Sequence, residues 1–321
     1  MRDETLDKAR IGAVIVTYRP DHGLPSRVAV IARQVDAVVI VDNGSAEEAR
    51  RALRDVAAAG PRVDTILNAD NRGVAAALNQ GLAWARARGY AWALTLDQDT
   101  APMDHLVATL AAVHADARST KRLAVIGANY VDDEPGSERY RARTGDVAGR
   151  GWIETATVLT SGSAVSIPVY DAIGPFREAL FIDHVDHEYC LRARARGFSV
   201  ILAREPLMRH RIGATRAHRL LGRALRAEHH AVPRWYFKTR NLAVVVREYG
   251  RREPRWAAAA ALWHLRSTIA MAAFEEDRIA KLRGIALGAW DGMRGRLGGY
   301  RGAPIAGLAP CEPSAAGRDA R

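Results

Sequence analysis

Two carboxylates, Asp97 and Asp99, stand two positions apart in Leu-Asp-Gln-Asp-Thr, directly after the apolar run Trp92–Leu96. Hard divalent cations take oxygen ligands, and Mg²⁺ is commonly held by one or two carboxylates together with substrate phosphates. The pair suits that task. A capping role is the alternative, since Asp99 precedes a helical stretch with Pro102 in its first turn. Asp183, Asp186 and Glu188 form a second acidic group beside Phe181, Ile182 and Val185. Acids at a helix start are stabilised by its dipole, but a carboxylate there is also available as a general base toward a hydroxyl. His210, in His-Arg-Ile-Gly, reads on its own as a structural histidine, although imidazole also ligates Mn²⁺-like metals. Asp42 is either a turn residue or an acceptor for a nucleobase or ribose.

Chemistry at these positions needs elements that bring them together. Ile11–Thr17 and Ala37–Val41 are apolar and β-branched and read as buried strands, and Val63–Leu67, Trp92–Leu96, Leu123–Ala128 and Val200–Leu202 read as further short strands. Between them, helices are expected over 23–34, 46–59, 74–88, from Pro102 to about 117, and 186–196, with Gly197 as a stop. Residues 155–167 read as two strands around a turn at Ser161-Gly162-Ser163. Strands alternating with helices predict βαβ units and a mostly parallel sheet. Ligands bind such sheets at the carboxyl ends of the strands. Thr17–Asp21, Asp42–Ser45, Asn71–Gly73 and Asp97–Asp99 all fall there, so four polar strand exits converge on one cleft. From about 217 strand signals fade, and helices are expected over 219–230, 235–249, 256–274 and 278–294. The expected organisation is a loose tail over 1–10, a catalytic domain over 11–215, a helical region over 216–298 and a disordered tail over 299–321, with 132–150 a mobile loop.

The chain has 321 residues and a formal net charge of +11, nearly all of its positive charge arginine. That charge suits solubility or a polyanion such as anionic lipid or a phosphate-bearing substrate. No helix-turn-helix, RRM or zinc pattern is present, which argues against a nucleic-acid binder. Cys190 and Cys311 lie far apart and outside any CxxC pair, so neither a zinc cluster nor a disulfide framework is expected. The opening MRDETLDKARIG lacks the apolar core of a secretory signal. No uncharged apolar run of about 20 residues occurs. A cytoplasmic protein is expected.

The segments IVTYRPD, VDNGS, NRGVAAALNQGL, LDQDT and FIDHVDHEYCLR, in that order, resemble family 2 glycosyltransferases of the GT-A fold. Within that group they are most similar to bacterial rhamnosyltransferases. The resemblance spans residues 11–245 or so. It implies a Rossmann-like sheet flanked by helices with a C-terminal helical extension. It implies that Thr17, Tyr18 and Asp42 hold the nucleoside end of a nucleotide-sugar donor, with Arg72 and Asn79 near the nucleotide and sugar. Asp97 and Asp99 become the metal motif, bridged to the diphosphate by Mg²⁺ or Mn²⁺ and completed by His210. Ser161, Gly162 and Glu188 fall on the acceptor side. Asp186 falls on the catalytic base. Many relatives carry Glu-Asp where this chain has Val185-Asp186; the aspartate is kept. Tyr236, Arg240 and Asn241 match a Y-x₃-R-N stretch of underived role.

The reaction so implied is an inverting displacement. The expected donor is dTDP-L-rhamnose, and the acceptor a hydroxyl of a glycan or polyprenyl-linked glycan in cell-surface polysaccharide synthesis. The apolar helix over 256–274 is expected either at the inner face of the cytoplasmic membrane, as a peripheral contact, or against the catalytic domain or a second subunit of a homo-oligomer. UDP-galactofuranose or another hexose donor is the nearest alternative, and a non-catalytic nucleotide-sugar or glycan binder the next.

Overall fold

The computed structural model describes residues 6, 10–60, 62–132, 150–210, 216–220 and 223–300. The expected tails, apart from Leu6, Arg10 and residues 299–300, and most of the expected loop over 132–150 lie outside the described residues. Leu6, read as part of a loose tail, is buried in the core.

The chain alternates as expected through β1 (Ile11–Thr17), α1 (Leu24–Ala32), β2 (Ala37–Asp42), α2 (Glu47–Ala59), β3 (Val63–Leu67), α3 (Val74–Ala87) and β4 (Trp92–Asp97). Strands β1 to β4 pair in parallel in the order β3-β2-β1-β4. Strands β1 and β2 are apolar and largely β-branched on both faces because both faces are covered. Gly81 of α3 lets that helix press onto Val14 of β1. Gly44, with φ of +88°, turns the chain after β2, and a Cβ there would lie 2.6 Å from the Asp70 carbonyl carbon.

Then come β5 (Ala101–Pro102), α4 (Leu106–Ala117), β6 (Leu123–Asp132), β7 (Trp152–Glu154), β8 (Ser163–Ser166), α5 (Ile167–Ile173), α6 (Val185–Ala195) and β9 (Ser199–His210). They extend the sheet to β4-β8-β6-β9-β5, with β7 on β9. Strand β8 is antiparallel to β4 and β6, whereas β6 and β9 are parallel. One core cluster joins Ile40 of β2, Leu94 and Leu96 of β4 and Ile201 of β9 to Ile31 of α1 and Leu110 of α4.

Two expectations are corrected here, and one helix is added. Residues 155–162 are irregular rather than a strand; the turn at Ser161-Gly162 stands, and Ser163–Ser166 is the strand after it. Helix α5 was not anticipated, although Ser166 caps it by accepting the Val169 N–H. Strand β9 runs 12 residues rather than three, because β6 supplies a parallel partner along its length.

The chain divides into two compact units, residues 1–176 with 186–212 and residues 177–185 with 213–321. The second contains a hairpin, β10 (Arg216–Leu220) and β11 (Arg223–Ala227), and the helices α7 (Val232–Tyr249), α8 (Pro254–Phe274) and α9 (Arg278–Met293). A helix was expected over 219–230. Its Ala, Leu and Arg content is helix-forming, but antiparallel pairing of Arg216 with Ala227 through Leu220 with Arg223 overrides that local preference. Helix α9 packs tightly on α7 through Gly284, Gly288 and Gly292; a Cβ on Gly292 would lie 2.6 Å from the Arg240 carbonyl oxygen.

Candidate active site

The metal-type cluster is assembled by strand pairing. Asp97 ends β4 and Asp99 follows in the turn before β5. That two-residue strand pairs antiparallel with the end of β9, Ala101 beside Arg209 and Pro102 beside Met208. The pairing brings His210 across 110 positions to the Asp-Gln-Asp-Thr turn. One ligand atom each from Asp97, Asp99 and His210 then lies within 4.8 Å of the others. His210 is buried and Asp99 exposed, so the cluster is rooted on one side and open on the other. Oxygen ligands sit roughly 2.0–2.6 Å from Mg²⁺-like and Ca²⁺-like ions, so three atoms this close can meet one ion with small side-chain adjustments. Two carboxylates and an imidazole suit Mg²⁺ or Mn²⁺.

Behind the cluster lies a buried chain of hydroxyls. The Asp97 N–H donates to Ser161 Oγ at 3.0 Å. Ser161 Oγ lies 2.5 Å from Thr100 Oγ1, which lies 2.8 Å from His210 Nδ1. Thr100 and Ser161 are 2% and 1% exposed, so these bonds are shielded from water. They fix the imidazole's rotation, the usual office of the groups behind a metal ligand. Gly162 closes this side: its φ is +74°, and a Cβ would meet the sulfur of Met208. Thr100 was not singled out from the sequence; its place in the Asp-Gln-Asp-Thr motif was the available signal.

The strand exits beside β4 form the second part. Asp42 is fully buried. Its carboxylate accepts from Thr17 Oγ1 at 3.1 Å, from the Ser45 N–H at 2.9 Å and from Ser45 Oγ at 2.5 Å, with Arg50 Nε 3.8 Å away. Asp42 and Thr17 therefore tie the ends of β1 and β2 together. Tyr18 is half-buried, and the Arg19 guanidinium lies over its ring at 5.0 Å. Gln98, the middle residue of Asp-Gln-Asp and another not anticipated, accepts the Tyr18 N–H at 2.8 Å and donates to the Tyr18 carbonyl at 3.1 Å. The metal turn and the Tyr18 loop are thereby set against each other. Asn43 holds the third exit through Asn71 Oδ1, the Gly73 carbonyl and the Arg72 N–H, each at 3.0 Å, leaving the Arg72 side chain exposed. Asn79 donates to the Phe176 carbonyl and accepts from the Phe176 N–H and Tyr170 Oη. Its amide braces α3 against the end of α5.

Asp186 stands in the first turn of α6, half-buried, with Oδ1 accepting the His187 N–H at 2.8 Å. It lines a small pocket with Thr160, Ser163, Phe176, Tyr189 and Cys190. Burial pushes the Cys190 thiol up to about 12 and the Tyr189 phenol well above its ordinary range, so both stay protonated and Asp186 is the pocket's carboxylate. Glu188 is 2% exposed and paired with Arg192 at 3.0 Å. Arg192 in turn donates to the carbonyls of Ile173, Gly174 and Pro175, so Glu188 is engaged inside the fold.

The Y-x₃-R-N stretch acquires a structural role within the second unit. Asn241 Nδ2 lies within 2.9 Å of the carbonyls of Leu180, Ile182 and Asp183. Arg240 donates to the Ala179 and Leu180 carbonyls, and its Nε donates to Asn241 Oδ1. Arg234 pairs with Asp183, which is therefore engaged here. Phe181, Asp183 and His184 all have positive φ, a backbone that non-glycine residues hold only when surroundings enforce it. Arg240 and Asn241, both fully buried, enforce it on the segment that runs into Asp186.

The model of the glycosyl transferase family 2 matches residues 13–169. The chain is 26% identical over 304 residues to the dTDP-rhamnosyl transferase RfbF of Shigella flexneri, covering 91% of this chain and 98% of that protein. Among solved structures, the mannosyltransferase PcManGT of Pyrobaculum calidifontis, in complex with GDP-Man and Mn²⁺, superposes with a TM-score of 0.57 at 17% identity, over 91% of this chain and 88% of the other. TarS 1–349 of S. aureus, in complex with UDP-GlcNAc, gives 0.55 at 13% identity, over 89% and 81%. These two likenesses establish the fold. With the family match over the strand exits and the near full-length likeness to RfbF, the chain is a glycosyltransferase with a GT-A-like fold, and it resembles family 2 enzymes and, among them, rhamnosyltransferases.

Proposed function

We propose that this enzyme transfers L-rhamnose from dTDP-L-rhamnose to a hydroxyl of a glycan, free or polyprenyl-linked, with inversion at the anomeric carbon. The observation that carries the reading is the meeting of Asp97, Asp99 and His210 at the strand exits of a chain that aligns with a dTDP-rhamnosyl transferase. Residues 11–215 carry the reaction and residues 216–298 support it. The three ligands hold Mg²⁺ or Mn²⁺, which, when bound, neutralises charge on the leaving diphosphate. Tyr18 and Arg72 contact the nucleotide end. Thr17, Asp42 and Asn79 set the walls of that pocket from behind. Ser161 and Gly162 border the acceptor, and Glu188 holds the acceptor-side helix in place. Asp186 takes the proton from the acceptor hydroxyl as its oxygen bonds to the anomeric carbon and the bond to the diphosphate oxygen breaks. dTDP leaves, and attack opposite to it inverts the configuration.

The test is a panel of nucleotide sugars, including dTDP-L-rhamnose and UDP-galactofuranose, assayed for release of nucleoside diphosphate with Mn²⁺. Release from dTDP-L-rhamnose above the others is expected, and Asp186→Asn should lower turnover about 10²–10⁴-fold. Preferential release from a UDP-sugar would replace the donor. Near wild-type turnover of Asp186→Asn would remove the base assignment.

A further inference from the structure

Every large apolar side chain that stands exposed among the described residues lies on α8 or α9. On α8, Leu262, Leu265 and Ile269 fall on one face at helical spacing, 48–55% exposed. On α9, Ile279, Leu282, Trp290 and Met293 do the same, at 42–66%. The α9 stripe lies opposite Gly284, Gly288 and Gly292, the face that packs on α7. The helix thus packs through small residues, with Lys281 and Asp291 buried beside them, and is apolar on the side that this packing does not use. Among soluble surfaces, contiguous apolar stripes mark an interaction site.

Charge identifies the occupant. Arg255 and Arg266 on α8, Arg278 and Arg283 on α9, and Arg294 at its C-terminal cap are all exposed, against Glu276 and Asp277 in the turn between the helices. Arg294 lies over the Trp290 ring at 3.5 Å, so an apolar ring and a cation are presented together. Apolar residues flanked by arginine, with tryptophan among them, are the makeup of a helix that lies in a lipid interface. A second copy of this chain would meet the face with the same arginines and be repelled. No helix among the described residues is long and apolar enough to cross a membrane, so the contact is one of lying on the surface.

We infer that the outer face of α8 and α9 docks the enzyme on an anionic phospholipid surface, the apolar stripes entering the acyl boundary and the arginines meeting lipid phosphates. This goes beyond the proposed reaction and does not depend on which sugar is transferred.

The experiment is flotation of the full-length protein with vesicles of phosphatidylcholine alone or mixed with phosphatidylglycerol, with nucleoside diphosphate release read in parallel. Binding is expected to the mixed vesicles, weakened by salt. Leu265→Glu with Ile269→Glu, and separately Trp290→Glu, should each weaken it about tenfold or more, and neutralising Arg266 or Arg283 to Ala about fivefold each. Donor release by these variants should stay at the wild-type level, which separates failure of docking from failure of the active-site reading. No flotation with mixed vesicles would overturn the inference. So would unchanged flotation of the glutamate variants, or light scattering that shows a dimer dissociating in those variants without any vesicle binding.

Discussion

At the scale of single residues, the site rests on side chains that never touch the outside. Thr100 joins His210 to Ser161, and Ser161 receives the Asp97 N–H. Removing the hydroxyl while keeping the shape leaves the imidazole without its inner partner. Thr100→Val should weaken Mn²⁺ binding about 10–100-fold, as removal of such supports does elsewhere, with the fold intact by circular dichroism. Unchanged Mn²⁺ affinity by titration calorimetry would show that the hydroxyl chain does not position the ligand. Asp97, Asp99 and His210 were legible as candidates because carboxylate spacing and an ordered set of motifs survive in sequence. Thr100 and Gln98 were not, because their partners lie 110 and 80 positions away, and nothing local records a contact at that range. Asp42 and Glu188 were legible as important polar residues, but the sequence could not say that their carboxylates turn inward.

Among the elements, the parallel strands β1, β2 and β4 were readable because strands buried on both faces are continuous apolar runs, and the half-buried β3 by its Val, Thr and Ile content. The length of β9 and the hairpin β10–β11 were not, since each depends on a pairing partner rather than on its own residues. Helix α7 shows what such non-local contacts do. Its Asn241 bonds the carbonyls of a segment with three left-handed residues. Asn241→Ala would leave buried carbonyls unpaired at a cost of about 2–4 kcal/mol, and would release the backbone before Asp186. A lowered urea midpoint together with reduced turnover is expected. A variant with wild-type stability and turnover would mean that the segment holds its conformation unaided.

For the whole molecule, the parallel sheet sets the chemistry at one set of strand ends, and the second unit presents an apolar, arginine-flanked surface of its own. Net charge was plain in the sequence, but its meaning was not: only the exposure of Leu265, Ile269, Trp290 and their arginine neighbours distinguishes a docking face from general solubility. The central claim is that Asp97, Asp99 and His210 hold the divalent ion on which donor cleavage depends. It is tested most directly by stripping the protein with EDTA, adding dTDP-L-rhamnose, and following dTDP release as Mn²⁺ is returned to the wild type and to Asp99→Asn. The account predicts no release after stripping, recovery of the wild type with Mn²⁺, and a variant that fails to recover at the same Mn²⁺ concentration. Release that survives EDTA, or full recovery of Asp99→Asn at wild-type Mn²⁺, would contradict it.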